Sequence, residues 1–242
     1  MKRLLIILTL IVTLMPAYAD DIAVYRLNVE NFRELTVVDG VAIDYHCRPD
    51  SAGWGVFYTS PDKASQIMFE NKAERLTVRS AADETPITGL PTIVLYSAIL
   101  DKIENSGDSL VRVFKPAHVD DLKIKQIGNG KIEVFGLDAD YVDAGITAGK
   151  GQLTLEGKAQ KAKFKNVSTG PIDASKLLLD QANCFIFGTG NIDCHPSGQL
   201  RIYGAGSGKV YYHVKPGKIS NRGIGVKAYP AETTKPLSLI HI

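Results

Sequence analysis

From Lys131 to Tyr212 apolar residues alternate with polar ones in short runs, and glycine-centred turns separate the runs. The pattern repeats. Gly128-Asn129-Gly130-Lys131-Ile132, Gly149-Lys150-Gly151-Gln152-Leu153, Ser168-Thr169-Gly170-Pro171-Ile172, Gly188-Thr189-Gly190-Asn191-Ile192 and Gly206-Ser207-Gly208-Lys209-Val210 are copies of one motif. Their last glycines, at positions 130, 151, 170, 190 and 208, lie 21, 19, 20 and 18 residues apart. Ser106-Gly107-Asp108 reads as a worn sixth copy.

Aligned on those glycines, the copies form columns. Ile132, Leu153, Ile172, Ile192 and Val210 stand two residues after the glycine, and Val134, Leu155, Ala174, Cys194 and Tyr212 stand four after it. Glu133, Thr154, Asp173, Asp193 and Tyr211 lie between them, so each copy predicts a short strand with one buried face. A second strand precedes each glycine, with Ile124, Ala144, Phe164, Cys184 and Ile202 in its inward column. One residue type at one coil position, repeated about every 20 residues, is what a stack of parallel strands requires, because each coil hides its apolar face only against its neighbours. The pattern therefore predicts an all-β chain folded as a single-stranded parallel β-helix, with glycines at the corners where positive φ is tolerated. An antiparallel barrel or sandwich also has many short strands with closely spaced turns, but its hairpins need no match at twice that spacing.

The first half is less regular. Leu35 to Val38, Val41 to Tyr45, Arg75 to Val78 and Thr92 to Leu95 read as strands, and Asp50 to Gly53 and Asp83 to Gly89 as loops. The organisation read from the sequence is a signal peptide over 1–19, a β-helix domain over 20–230 and a tail over 231–242. Within the domain, 20–115 forms irregular first coils and a cap, and 116–230 forms regular coils.

Composition agrees with a packed domain: of 242 residues 45% are hydrophobic and 22% charged, which excludes a disordered chain, while 3 Cys exclude a disulfide framework. Lys2 and Arg3, the apolar run Leu4 to Met15, and Ala17-Tyr18-Ala19 have the form of a cleaved secretory signal. The run is too short to span a bilayer, and no second long apolar segment follows. The expected location is extracytoplasmic: periplasm, cell surface or medium. Without Lys2 and Arg3 the chain balances 26 basic against 26 acidic residues, which excludes the basic excess of a nucleic-acid binder. Export permits disulfides, and two alternatives stand: a Cys184–Cys194 bond with Cys47 left over, or three core thiols. The last six residues, Leu237 to Ile242, are what the mosaic end of a transposase-based sequencing adapter encodes, so His241 is given no role.

Leu35-Thr36-Val37-Val38-Asp39-Gly40-Val41, the Ser-Gly-Asp turn after Ile103, the serial glycine turns, and Gly208-Lys209-Val210-Tyr211-Tyr212 followed by Lys215-Pro216 and Gly223-Ile224-Gly225 resemble the bacterial family called putative auto-transporter adhesin, head GIN domain. The resemblance extends to about Tyr229. It implies a right-handed β-helix on an exported bacterial protein and brings no catalytic residues with it. Gly170-Pro171 departs from the family's turn, and no part of the chain reads as an outer-membrane translocator.

Two surface features carry chemistry. Asp173 and Asp193 share an outward position on successive coils, which places their carboxylates about 5 Å apart. Ca²⁺ could bridge them, although Thr154 and Tyr211 on either side add no carboxylate; solvated acids are the simpler reading. No other cofactor is expected, because Cys194-His195 lacks zinc-ligand spacing. Lys123, Lys163 and Arg201 share another outward position, with Lys125, Lys161 and Lys165 nearby and Asp143 interrupting. With Phe185 beside Tyr203, this strip could hold an anionic polysaccharide or a lipid headgroup, or meet an envelope protein; edge-protecting lysines are the plainer alternative. No Ser-His-Asp elbow or phosphate-binding loop is present. The expected function is a non-catalytic adhesin or glycan-binding module of the cell envelope. The alternative is a carbohydrate-active enzyme, a polysaccharide lyase or hydrolase, which would show several convergent carboxylates.

Overall fold

The structure, a computed structural model, describes residues 22–81 and 88–231; the leader, most of the Asp83 to Gly89 loop and all of the tail except Ala231 lie outside the described residues. In chain order the strands are β1 (Ala23–Asn28), β2 (Glu34–Val38), β3 (Ala42–Cys47), β4 (Trp54–Thr59), β5 (Ile67–Lys72), β6 (Arg75–Ser80), β7 (Thr92–Ser97), β8 (Lys102–Asn105), β9 (Leu110–Phe114), β10 (Val119–Ile127), β11 (Lys131–Ala148), β12 (Gln152–Asn166), β13 (Ile172–Ile186), β14 (Ile192–Gly204), β15 (Lys209–Tyr212), β16 (Lys218–Asn221) and β17 (Lys227–Pro230). Helix is confined among the described residues to single turns at Pro49–Ser51 and Pro61–Ala64.

From β10 onward each strand pairs in parallel with the strand one coil later, and the chain is a parallel β-solenoid. Ile132, Leu153, Ile172, Ile192 and Val210 form one continuous ladder of register partners, none more than 1% exposed. On the opposite side of the core, Ile124, Ala144, Phe164, Cys184 and Ile202 form a second ladder. β11, β12 and β13 are long because each runs through both sides, bending at bulges at Val134/Leu137, Thr154/Glu156 and Ala174/Leu178. The first face thus starts each coil after its glycine turn, and the second face ends it.

The first glycines of two copies, Gly128 and Gly149, have the positive φ that the sequence suggests, but the last glycine of each copy is there for another reason. Gly130, Gly151, Gly170, Gly190 and Gly208 do not have positive φ. Each instead lies directly against the same turn of the preceding coil, so that a Cβ on Gly170 would fall into the carbonyl of Gly151, and one on Gly151 would lie 2.6 Å from Gln126 Cγ. Close stacking of turns, not backbone handedness, excludes a side chain. A buried asparagine closes several turns from inside: Asn166 Nδ2 donates to the Gly170 carbonyl at 2.8 Å, and its Oδ1 accepts from Ser168 N at 3.0 Å. Buried Asn105 repeats the arrangement at Gly107, and Asn221, exposed on the last coil, makes the same bonds at Gly223.

The first half is also stacked, but out of chain order. β2 lies between β6 and β8, and β3 between β7 and β9, so the first coil is enclosed by two later ones. The four strands read from the sequence are present, each within two residues at either end. Antiparallel pairing, β1 with β4 and β5 with β6, finishes this end. The β5–β6 turn uses Ala73 and Glu74, both at positive φ, where a two-residue hairpin ordinarily carries Asn or Gly.

Candidate functional site

Alternation along the strands of the second face sends every other side chain to solvent, and the parallel register arranges these into columns. One column runs Lys123, Asp143, Lys163, Asn183, Arg201. The next runs Lys125, Gly145, Lys165, Phe185, Tyr203, and a third runs Asp121, Tyr141, Lys161, Gln181, Gln199. Three neighbouring strands therefore present Lys161, Lys163 and Lys165, then Gln181, Asn183 and Phe185, then Gln199, Arg201 and Tyr203. Lys161, Lys163, Lys165, Phe185, Arg201 and Tyr203 meet on this one patch, whereas Lys123 and Lys125 stand two strands away on β10.

Its charge is weakly compensated. Lys163 Nζ sits 3.0 Å from Asp143 Oδ2, and this bond holds the ammonium above its ordinary pKa. Lys161, Lys165 and Arg201 form no ion pair among the described residues. Lysines nearer the N-terminal end differ: Lys102 lies 3.6 Å from both Glu34 and Glu104, and Lys125 lies 3.7 Å from Glu104. Positive charge is thus concentrated on β12 and β14. Phe185 and Tyr203 stack at 5.0 Å and 15° between planes. Because they stack on each other, one face of each ring is covered.

Asp173 and Asp193 lie on the first face, away from that patch. They are register partners on β13 and β14, as the column predicts. Asp173 accepts from Ser175 N at 3.0 Å, while Asp193 lies 3.5 Å from His213 Nε2. Burial raises the pKa of Asp193, the His213 bond lowers it, and the Asp173 charge raises it further. His195 is parallel to His213 at 6.4 Å, and its Nδ1 lies 3.0 Å from the Ser175 carbonyl. The partnership with His213 was not visible in the linear sequence; only the offset of 20 residues from Asp193 to its coil neighbour hints at it.

Cys47, Cys184 and Cys194 are free thiols in the structure, with Cys47 half-buried against the core rather than within it. Cys184 and Cys194 are buried, and hydrogen bonding to Cys194 together with burial holds the Cys184 thiol well above its usual pKa.

Two further features lie in the irregular half. Tyr96, His46, Phe114 and Phe135 stack outward on consecutive strands of the first face at 5.9, 4.9 and 5.6 Å. At the N-terminal end the two faces leave a cavity of about 590 Å³, lined by Tyr25, Leu27, Phe57, Ile67, Phe69 and Leu76 with Asn28, Glu30, Ser65 and Asn71 among its polar residues. Neither was legible, because β1, β4 and β5 around the cavity, and β3, β7 and β9 under most of the stack, carry no aligned copy of the repeat.

The fold is a parallel β-solenoid whose outer faces carry columns of exposed side chains. The chain belongs to the family described as putative auto-transporter adhesin, head GIN domain, which it matches over residues 31–216. It is similar in structure to a putative adhesin from Bacteroides fragilis NCTC 9343, with a TM-score of 0.74 at 20% identity, covering 87% of this chain and 97% of that one. A putative lipid binding protein from Parabacteroides distasonis ATCC 8503 aligns with a TM-score of 0.66 at 18% identity over 86% and 96% of the two chains. A putative adhesin from Parabacteroides merdae ATCC 43184 gives 0.59 at 20% identity over 86% and 96%. At such identities the likeness is one of fold. No curated protein matches the sequence.

Proposed function

We propose that this protein is a non-catalytic, extracytoplasmic binding module that holds an anionic glycan of the cell envelope against the second face of the solenoid. The observation that carries the reading is the patch on β12–β14, where Lys161, Lys165 and Arg201 stand without ion-pair partners among the described residues, beside the amides of Gln181, Asn183 and Gln199. Cations supply attraction to carboxylate or sulfate groups, amides supply hydrogen bonds to hydroxyls, and rigid strands hold both in place. Membership of an adhesin family agrees with a surface role. The enzyme alternative gains no support: Asp173 and Asp193 have Thr154 and Tyr211 as register neighbours and no third carboxylate between them. Binding of the purified protein to a panel of anionic and neutral polysaccharides, with product release measured in parallel, tests the proposal. Retention of the anionic polymers without cleavage is the expected result.

The cavity between β1 and β5 favours a second reading, an aliphatic ligand. Its volume is in the range of roughly 300–1,000 Å³ common to ligand sites, and Tyr25, Phe57 and Phe69 give it an aromatic lining at the edge of the core. A structural neighbour is named a putative lipid binding protein. Displacement of a fluorescent fatty-acid probe by unlabelled lipid, reduced by Phe69→Asp, tests this reading separately from the basic patch.

A further inference from the structure

At the corner that leads into the second face, two adjacent strands bring four ligating side chains together. His118-Val119-Asp120 precedes and opens β10, and Asp138-Ala139-Asp140 lies on β11. Val119 and Ala139 are register partners and both point inward, 5% and 3% exposed, so the residues that flank them face outward side by side. One ligand atom each from His118, Asp120 and Asp140 lies within 4.8 Å of the other two.

The imidazole is oriented within this group. His118 Nδ1 lies 3.0 Å from Asp138 Oδ1 and donates to it, which leaves Nε2 without a proton and free to ligate. Nε2 stands 4.0 Å from Asp140 Oδ1, too far for a hydrogen bond. A zinc ion with bonds of about 2.0–2.2 Å to nitrogen and oxygen holds its ligand atoms roughly 3.4 Å apart, so small torsional adjustments of exposed side chains close the set. A carboxylate behind the first nitrogen of a metal-bound histidine is the usual means of fixing its tautomer.

Charge points the same way. Asp120, Asp138 and Asp140 gather three negative charges, and the cations beside them are Lys158, 3.0 Å from Asp138, and His118 itself when protonated. Gln160 donates to Asp140 at 3.0 Å and adds no charge. With neutral His118 the group is two charges short of balance, which a divalent cation supplies.

We propose that His118, Asp120 and Asp140 form a site for a divalent transition-metal ion such as Zn²⁺, with Asp138 as the positioning residue for the imidazole. One nitrogen and two oxygen ligands suit zinc or its neighbours better than calcium, and three protein ligands leave a position open to water or to an acidic group of a bound partner. The site is separate from the basic patch and does not depend on it.

Titration of the purified, tag-free protein with Zn²⁺ alone by calorimetry, and with Co²⁺ alone by visible absorption, tests the site. One ion should bind per chain at pH 7.5. His118→Ala should abolish binding, Asp138→Asn should weaken it about tenfold while leaving the three ligands in place, and His195→Ala should change nothing. Protons compete with the metal for imidazole and carboxylate ligands, so affinity should fall between pH 7.5 and pH 5.5. Circular dichroism of each variant distinguishes loss of the site from loss of the fold. Absence of one-to-one binding by the folded parent, or binding that survives His118→Ala, overturns the proposal.

Discussion

Ile172 and Ile192 lie opposite each other in parallel register on β13 and β14, and neither exposes any surface to solvent. The contact is one step of the ladder that fills the core, and no polar group lies among its register partners from Ile132 to Val210. Ile192→Asp would place a carboxylate there without a partner, at a cost of several kcal/mol. Thermal melting by circular dichroism should show a variant that is unfolded or melts far below the parent, whereas Thr154→Lys on the outward column, between Glu133 and Asp173, should melt close to it.

Gly170 makes the complementary point about the turns. Its φ is not positive, so Gly170→Ala carries no handedness penalty, yet the new Cβ meets the Gly151 carbonyl on the preceding coil. Overpacking of this kind costs about 1–3 kcal/mol. Gly40 is the control: it has φ of +80° and open space around its Cβ position, so Gly40→Ala tests backbone strain alone. Denaturant unfolding should rank Gly170→Ala as the more damaging of the two; the opposite order would mean that backbone strain, not stacking, decides the cost.

Asp193 gives the stability a pH dependence. Its folded pKa is raised, chiefly by burial and against the His213 bond, so the folded state binds more protons than the unfolded state between the two pKa values. Stability then falls as pH rises from the ordinary carboxylate range near 3.8 through the folded value. Asp193→Asn should stabilise the protein at pH 7 and have little effect at pH 3. Denaturant midpoints measured at the two pH values check the sign.

The regular half was legible because successive coils place the same residue types at the same offset, so alignment on Gly130, Gly151, Gly170, Gly190 and Gly208 yields the register itself. The basic patch followed, since Lys161, Lys163 and Lys165 alternate on one strand and Arg201 falls in the column of Lys163. The first half resisted alignment because β2 and β3 pair with strands on both sides that come later in the chain. Its hairpin at Ala73 and Glu74 also lacks the residues that announce such a turn. His118 shows no ligating cluster along the chain, because Asp138 and Asp140 reach it only through pairing one coil away.

The account rests most directly on the binding strength of an anionic polysaccharide for the parent protein and for Lys163→Ser/Lys165→Ser/Arg201→Ser, measured at low and at physiological salt. Exposed charges are screened over about 8 Å at physiological ionic strength, so added salt should weaken binding by the parent. The triple substitution should weaken it at least tenfold, about 1.4 kcal/mol, with stability changed by no more than about 0.5 kcal/mol. Binding that is indifferent both to salt and to the triple substitution would contradict the assignment of recognition to this face.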